Sequence, residues 1–324
     1  MLLDELLVST SYYEDVYINK CFRITKMIEL LNKNTNFIFH YDITRSPDDE
    51  DLIFIFQSGK TEMLNSDYSN FGNILIQGDD IAGYSIPMMK DLKVFLEHNK
   101  KEIQLFCFGK INNKFCFCLI SSERCSKTLE IRNLVSRLLK TSYRLLPLEQ
   151  FQAAILAHHI FHWNNTHRFC GICRGRNKMN HDKIALKCSD CGYKVYPVIT
   201  PCVIAVIYKE NEILLAQAAH TVTGAYGCIS GYVSPGENLE TALKREVMEE
   251  VGLEIQNIKY ITSQHWPFPN SLLMGFIAEY KSGQINIDYK EIADAKWFNK
   301  HDKLSLPKLP DPITIARHLI DLFL

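Results

Sequence analysis

GYVSPGENLETALKREVMEEVGL, residues 231–253, is the stretch that decides how the chain is read. Its second half has the pattern of a helix, on which Glu246, Glu249 and Glu250 fall within an arc of about 100° at roughly 100° per residue. Like charges three and four residues apart repel by about 0.2–0.5 kcal/mol per pair, so a plain surface helix gains nothing from this clustering. A divalent cation reverses the sign. Oxygen-rich clusters suit Mg²⁺ or Mn²⁺, which keep several waters and bridge carboxylates to substrate phosphates, so the expected ligand is phosphorylated. The remainder of the stretch mounts the helix. Leu239, Ala242, Leu243 and Val247 form an apolar stripe, Pro235-Gly236 makes the preceding turn, and Gly252 suits a left-handed cap.

These residues resemble the Nudix box, G-x5-E-x7-R-E-U-x-E-E-x-G-U with U aliphatic. They match it without a gap at Gly231, Glu237, Arg245, Glu246, Val247, Glu249, Glu250, Gly252 and Leu253. The resemblance implies metal-dependent hydrolysis of a nucleoside diphosphate linked to another group. It makes Glu237 and Arg245 a structural pair and leaves open whether Glu237 also approaches a metal. Gly231 is read as a point of close backbone approach to the ligand.

With 324 residues, 47% hydrophobic and 23% charged, the chain has the composition of a folded protein with room for more than one domain. A formal net charge of −1 excludes a global field toward nucleic acid or anionic membrane, so phosphate recognition has to be local. The N-terminal MLLDELLVSTSYYEDVY is acidic where a secretory signal is basic, and no apolar run reaches a membrane span. The expectation is a cytoplasmic protein without membrane contact. Eleven cysteines fit a disulfide framework poorly in that setting.

In chain order, LIFIF (52–56), FGNILIQ (71–77), IQLFCFG (103–109) and KFCFCLI (114–120) read as strands of an N-terminal α/β domain over 1–127. Asn112-Asn113 is expected to turn a hairpin, and Cys107, Cys116 and Cys118 are expected to be buried thiols. From 128 to 165 the spacing of Leu134, Leu138 and Leu139, then of Phe151, Ala154, Ile155, His158 and Phe161 after Pro147, predicts connecting helices. His158, His159 and His162 read as packing or surface groups in preference to metal ligands. Cys170 and Cys173, then Cys188 and Cys191, make two C-x-x-C pairs fourteen residues apart, the spacing of a zinc ribbon over 166–196. Four thiolates close the shell, so the zinc is expected to be structural. His167, Arg168, Arg174, Arg176, Lys178, Lys183 and Lys187 give the ribbon a basic bias. Scaffolding and contact with an RNA tail both stand as readings of it.

The last region, 197–324, carries strand patterns at PCVIAVIY (201–208), EILLAQ (212–217), AYGCISGYV (225–233), IKYITSQ (258–264) and SLLMGFIAEY (271–280), then a helix from about 312. SQHWPFPNS (263–271) and the ribbon joined through Tyr196-Pro197 resemble the NADH pyrophosphatase family, with His265 and Arg174 departing from its usual residues. The resemblance implies an α+β protein: a Nudix α/β/α sandwich with a mixed sheet, preceded by a zinc ribbon and the N-terminal α/β domain. It implies hydrolysis of NAD(H) to nicotinamide mononucleotide and AMP, and removal of NAD caps from RNA. By the same resemblance Tyr196, Tyr232, Gln264, Trp266, Ser271 and Ala316 line the substrate, with Tyr196 contributed across a homodimer. Glu291 matches a further Mg²⁺ or Mn²⁺ ligand beside Glu246, Glu249 and Glu250, against the reading of a surface acid at a loop end. The prolines around Trp266 and Phe268 pre-set a loop that either walls a flat-base pocket or plugs the core. The alternatives are hydrolysis of ADP-ribose or a diadenosine polyphosphate, and a non-catalytic module that uses its ribbon to bind nucleic acid.

Overall fold

The computed structural model describes residues 36–42, 44–57, 72–99, 103–121, 134–180, 184–220, 223–302 and 305–324. The acidic N-terminal stretch, Phe71, the segment 128–133 and Lys183 lie outside the described residues. The chain forms two compact units, one containing 34–199 with 266–270, the other 200–265 with 271–324.

In the first unit the short β-rich runs pair into two sheets. Strands β1 (Phe37–Asp42), β2 (Leu52–Phe54), β3 (Phe56–Gln57), β4 (Asn73–Asp79) and β5 (Gly83–Ser85) precede helix α1 (Met89–His98). Strands β6 (Ile103–Ile111), β7 (Lys114–Ser121) and β8 (Leu134–Leu138) follow. One sheet has the order β1-β6-β7-β2, and the other joins β3, β4 and β5 with β8 against β4. The β6–β7 hairpin turns at Asn112-Asn113, with Asn112 at φ 54, a left-handed position that asparagine tolerates. Cys107, Cys116 and Cys118 are buried, the first of them in a cluster with Ile53, Ile55, Leu75, Leu92 and Phe117.

The helical reading of Leu134, Leu138 and Leu139 is corrected. Residues 134–138 are β8, antiparallel to β4, and Leu139 opens a 3-10 helix, Leu139–Arg144. Three leucines at spacings of four and one do not fix a period, and the open edge of β4 recruits the segment as a strand. Helix α2 (Leu148–Thr166) does form, and it is buried over much of its circumference through Phe151, Ala153, Ala154, Ala157, His158, His159, Ile160 and Trp163. Strands β9 (Asn177–Met179), β10 (Leu186–Cys188) and β11 (Lys194–Val195) then form a three-stranded antiparallel ribbon.

The second unit is a mixed sheet with a helix on each face. Its elements are β12 (Thr200–Lys209), β13 (Glu212–Ala218), β14 (Ile229–Tyr232), α3 (Leu239–Val251), β15 (Leu253–Trp266), β16 (Ser271–Gly283), β17 (Ile292–Asn299) and α4 (Ile315–Asp321). The order is β15-β16-β12-β13-β17, with β14 also pairing β12, and β12 runs parallel to β16. A central strand covered on both faces has no polar side to show, which explains the unbroken apolar run in β12. Val203, Ala205 and Ile207 pack with Ala242, Leu243, Val247 and Val251 of α3. Ile204 and Val206 pack with Ile315, Leu319 and Ile320 of α4. Strand β17 escaped the sequence reading because its polar residues Asp294, Lys296 and Asn299 interrupt the apolar pattern of an edge strand.

Candidate functional site

Helix α3 is built as its sequence dictates. Asn238 caps it, accepting from the Thr241 N–H at 2.8 Å, after a turn in which Gly236 takes φ 90. Gly252 ends it at φ 70, with its N–H on the Met248 carbonyl. Ala242, Leu243 and Val247 are fully buried, so the helix is locked in rotation and Glu246 and Glu250 turn inward with it.

The structure brings together a different trio from the one the helix arc suggests. Carboxylate oxygens of Glu246, Glu250 and Glu291 lie within 4.8 Å of one another. Glu291 arrives from the residue before β17, where a register shift against Gln217-Ala218 accompanies the bond from the Ala219 N–H to its carbonyl at 2.7 Å. Glu249 stands apart from the trio, its side chain 58% exposed and held by Arg245 Nη1 at 2.9 Å. Arg245 is the hub of the outer side. It grips Glu237 with Nε at 2.7 Å and Nη2 at 2.8 Å, reaches Glu246 at 2.7 Å, and donates to the Tyr232 carbonyl at 2.9 Å.

Electrostatics follow from this division. Hydrogen bonds from Arg245 and the Ser234 N–H hold Glu237 down to about 2. Burial raises Glu246 above the ordinary carboxylate range against the pull of Arg245. Glu250 is pushed up to about 8 by burial first, then by the charges of Glu246, Glu291 and Glu249, and its Oε2 is buried with no hydrogen-bond partner. Three converging carboxylates, one with a buried unpartnered oxygen, fit a hard divalent cation.

Gly231 also has a role that the box pattern alone does not reveal. A Cβ on it would sit 1.9 Å from Cδ of Glu246 and 2.2 Å from each carboxylate oxygen. The residue makes room for a carboxylate, a role separate from its reading as a point of ligand approach.

Among the residues expected to line a substrate, Tyr232 is 48% exposed, and its hydroxyl lies 3.4 Å from that of buried Ser271. Gln264 is buried and bonds backbone on both sides of its amide. Its Nε2 donates to the Ile313 carbonyl and its Oε1 accepts from the Ile315 N–H, both at 2.8 Å, so it fastens the entry to α4. Ala316 packs against the α4-side core, and its carbonyl accepts from Cys228 Sγ. Neither bond is visible in a linear pattern, and both give these residues a structural role beside the substrate-lining one expected of them. Tyr196 and Trp266 belong to the other compact unit. Tyr196 is 54% exposed; Trp266 is half-buried, edge-on to Phe268 at 5.1 Å, with Lys140 Nζ 5.6 Å over its ring.

The four ribbon cysteines bring their sulfurs within 4.8 Å of one another. Cys170–Cys191 and Cys173–Cys188 separations are 3.7 and 3.4 Å, close to the edge of about 3.8 Å for a tetrahedron with Zn–S bonds near 2.3 Å. Backbone N–H groups of Cys173 and Ile172 lower the Cys170 thiol, and those of Cys191 and Asp190 bring Cys188 to about 7. Against the pull of the Gly175 N–H, the Cys191 and Cys188 sulfurs push Cys173 up to about 12. Only a cation lets four such sulfurs ionise together, so the donor set fits zinc. His158, His159 and His162 join no metal-ligating cluster among the described residues.

A NUDIX domain model matches residues 198–319. The NAD-capped RNA hydrolase NudC of Haemophilus influenzae (strain PittEE) is 41% identical over 203 residues, covering 62% of this chain and 72% of that protein. Proteins of the same name from Vibrio atlanticus (strain LGP32) and Vibrio vulnificus (strain CMCP6) are 43% and 46% identical over 175 and 160 residues. Those alignments cover 54% and 49% of this chain and 64% and 60% of the relatives, so the chain spans less than two thirds of the length of either. A crystal structure of a NUDIX hydrolase from Nitrosomonas europaea is similar at a TM-score of 0.38 and 20% identity, covering 42% of this chain and 79% of that one. At 41% identity over 72% of the Haemophilus influenzae protein, the chain belongs to the Nudix-domain family of which these NudC proteins are members, the NADH pyrophosphatase family.

Proposed function

We propose that this chain is a divalent-metal-dependent pyrophosphohydrolase that splits NAD(H) into nicotinamide mononucleotide and AMP, and that it removes NAD caps from RNA 5′ ends. The convergence of Glu246, Glu250 and Glu291 within 4.8 Å, with one oxygen buried and unpartnered, carries the proposal. The names of the NudC relatives supply the substrate class. These three carboxylates would hold Mg²⁺ or Mn²⁺, which when bound neutralises a diphosphate and lowers the pKa of water.

The protein side chains do the rest. Arg245 fixes Glu246 and keeps Glu249 on the solvent side, where Glu249 serves as a proton acceptor or binds a further cation. Water adds to one phosphorus, the bridging P–O bond breaks, and the other phosphate leaves as a monoester. Tyr232 and Ser271 offer adjacent hydroxyls to the substrate. Trp266 offers a ring, and Tyr196 offers another across a homodimer. Cys170, Cys173, Cys188 and Cys191 would hold zinc, which would stabilise the ribbon.

The test is incubation of the purified chain with NADH and Mn²⁺, followed by identification of products. Reduced nicotinamide mononucleotide and AMP are expected, with a NAD-capped transcript losing its cap while a triphosphate-ended one is untouched. Faster turnover of ADP-ribose or diadenosine tetraphosphate would overturn the substrate assignment, and no metal-dependent hydrolysis of any of them would overturn the enzyme.

A further inference from the structure

Residues Trp266–Asn270 read W-P-F-P-N, and two of their five backbone nitrogens carry no hydrogen. The Phe268 N–H donates to the Trp266 carbonyl at 2.9 Å, and with so few N–H groups left the Pro267 carbonyl takes its donor from outside the loop. At one end that donor is on α2, and at the other end α2 and the loop share an acceptor. His158, 2% exposed, donates from Nδ1 to the Pro267 carbonyl at 3.0 Å, and its ring packs on Phe268 with centroids 5.7 Å apart. At the far end, Asn270 Nδ2 donates to the Val198 carbonyl at 3.2 Å, and His159 Nε2 donates to that same carbonyl at 2.8 Å.

The surroundings are shaped to an imidazole. Phe56 meets the His158 ring edge-on at 5.3 Å, and a Cβ on Gly72 would lie 2.7 Å from its Nε2. Donation to a carbonyl fixes the proton on Nδ1, and a leucine would fill the space while leaving the Pro267 carbonyl without this donor. From His158 the contacts pass to Phe268 and from Phe268 to Trp266.

We propose that His158 is a positioning residue for the substrate loop, setting the Trp266 ring through Pro267 and Phe268, with His159 securing the other end through Val198. This rests on the role given to Trp266 in the proposed hydrolysis. The test uses the full chain with His158→Ala, His158→Asn and His158→Gln. Asparagine returns a donor near the Nδ1 position, whereas glutamine returns one near Nε2.

Two readouts separate the inference from the hydrolase reading. Hydrogen exchange over 263–271 reports the loop whatever the activity. In His158→Ala its amides should exchange about tenfold faster, and KM for NADH should rise about tenfold with kcat within about threefold, the weight of one buried hydrogen bond. Asparagine should restore both, and glutamine should not. If alanine prevents folding, the asparagine and glutamine variants decide alone. Loop exchange and KM indistinguishable among wild type, asparagine and glutamine would overturn the proposal. Wild-type protein inert toward NADH would sink the substrate reading, and the exchange rates would then still decide whether His158 holds the loop.

Discussion

Replacing Gly231 with alanine adds one methyl group 1.9 Å from Cδ of Glu246. Ordinary carbon contacts lie near about 3.5–4.0 Å, so something must move by well over an ångström. Gly231 is a strand residue in β14, paired to Val203, and it is not among the glycines of positive φ. Alanine is therefore allowed by the backbone, and the perturbation is purely one of space. Glu246 is 8% exposed and has little room to turn. Overpacking of this kind costs about 1–3 kcal/mol. At about 2–4 °C per kcal/mol for a domain of this size, Tm should fall by roughly 2–12 °C. A carboxylate displaced by an ångström from Glu250 and Glu291 should lower kcat about 10²-fold. The assay is NADH hydrolysis at saturating Mn²⁺, with Mn²⁺ affinity by calorimetry and Tm by scanning fluorimetry. Gly227→Ala is the control, because its Cβ would meet only Pro310 at an ordinary 3.6 Å. Mn²⁺ affinity and turnover within threefold of wild type in Gly231→Ala would refute the reasoning.

Glu250→Gln should lose Mn²⁺ affinity and lower kcat by at least about 10²-fold, with Tm in chelator equal to or above wild type, since a buried acid with one unpartnered oxygen and acidic neighbours is replaced by a neutral amide; circular dichroism and calorimetry check it. Glu249→Gln should also lower kcat by orders of magnitude but keep most of the Mn²⁺ affinity, because Glu249 lies outside the trio; a titration comparing the two variants shows whether the split is real. The chain should carry one zinc, lost in Cys188→Ser together with ribbon stability, which metal analysis and limited proteolysis would report. Gln264→Leu strands the Ile313 carbonyl and the Ile315 N–H at about 1–3 kcal/mol each, so Tm should drop by several degrees with KM unchanged; a raised KM at constant Tm would return Gln264 to the substrate.

Legibility in the sequence followed the range of the forces involved. Helix α3 was readable because its cap at Asn238, its stripe of Ala242, Leu243 and Val247, and its stop at Gly252 are all local. The ribbon was readable because four thiols at fixed spacing leave one economical geometry. The apolar runs of β12 and β13 gave strands, although no run told that β12 pairs parallel with β16. Where partners are remote, reading from pattern went astray. Leu134–Leu138 became a strand because β4 had an edge to offer, and nothing within the segment announces that edge. Gln264 and Ile315 are far apart in sequence, and only the fold makes the glutamine part of a helix entry. The metal trio mixes both cases: Glu246 and Glu250 follow from helical phase, whereas Glu291 enters by way of β17.

One guanidinium faces more carboxylates than it can neutralise, and the way it distributes itself separates structure from chemistry. Arg245 bonds Glu237, Glu246 and Glu249, so these three acids have a permanent counterion and the loop before α3 is pinned to it. Glu250 receives no such bond. A carboxyl that is 6% exposed, with an oxygen that no donor reaches and three acidic neighbours, is a standing penalty to folding, and an apolar residue of similar size at that position would cost less. Packing alone gives no reason for a glutamate there. A cation held by it together with Glu246 and Glu291 would, because the same burial that disfavours the lone charge would strengthen its attraction to the ion. The distinction between Glu237, which the fold needs, and Glu250, which the fold would be better without, is thus a physical reason to place the chemistry on the inner trio.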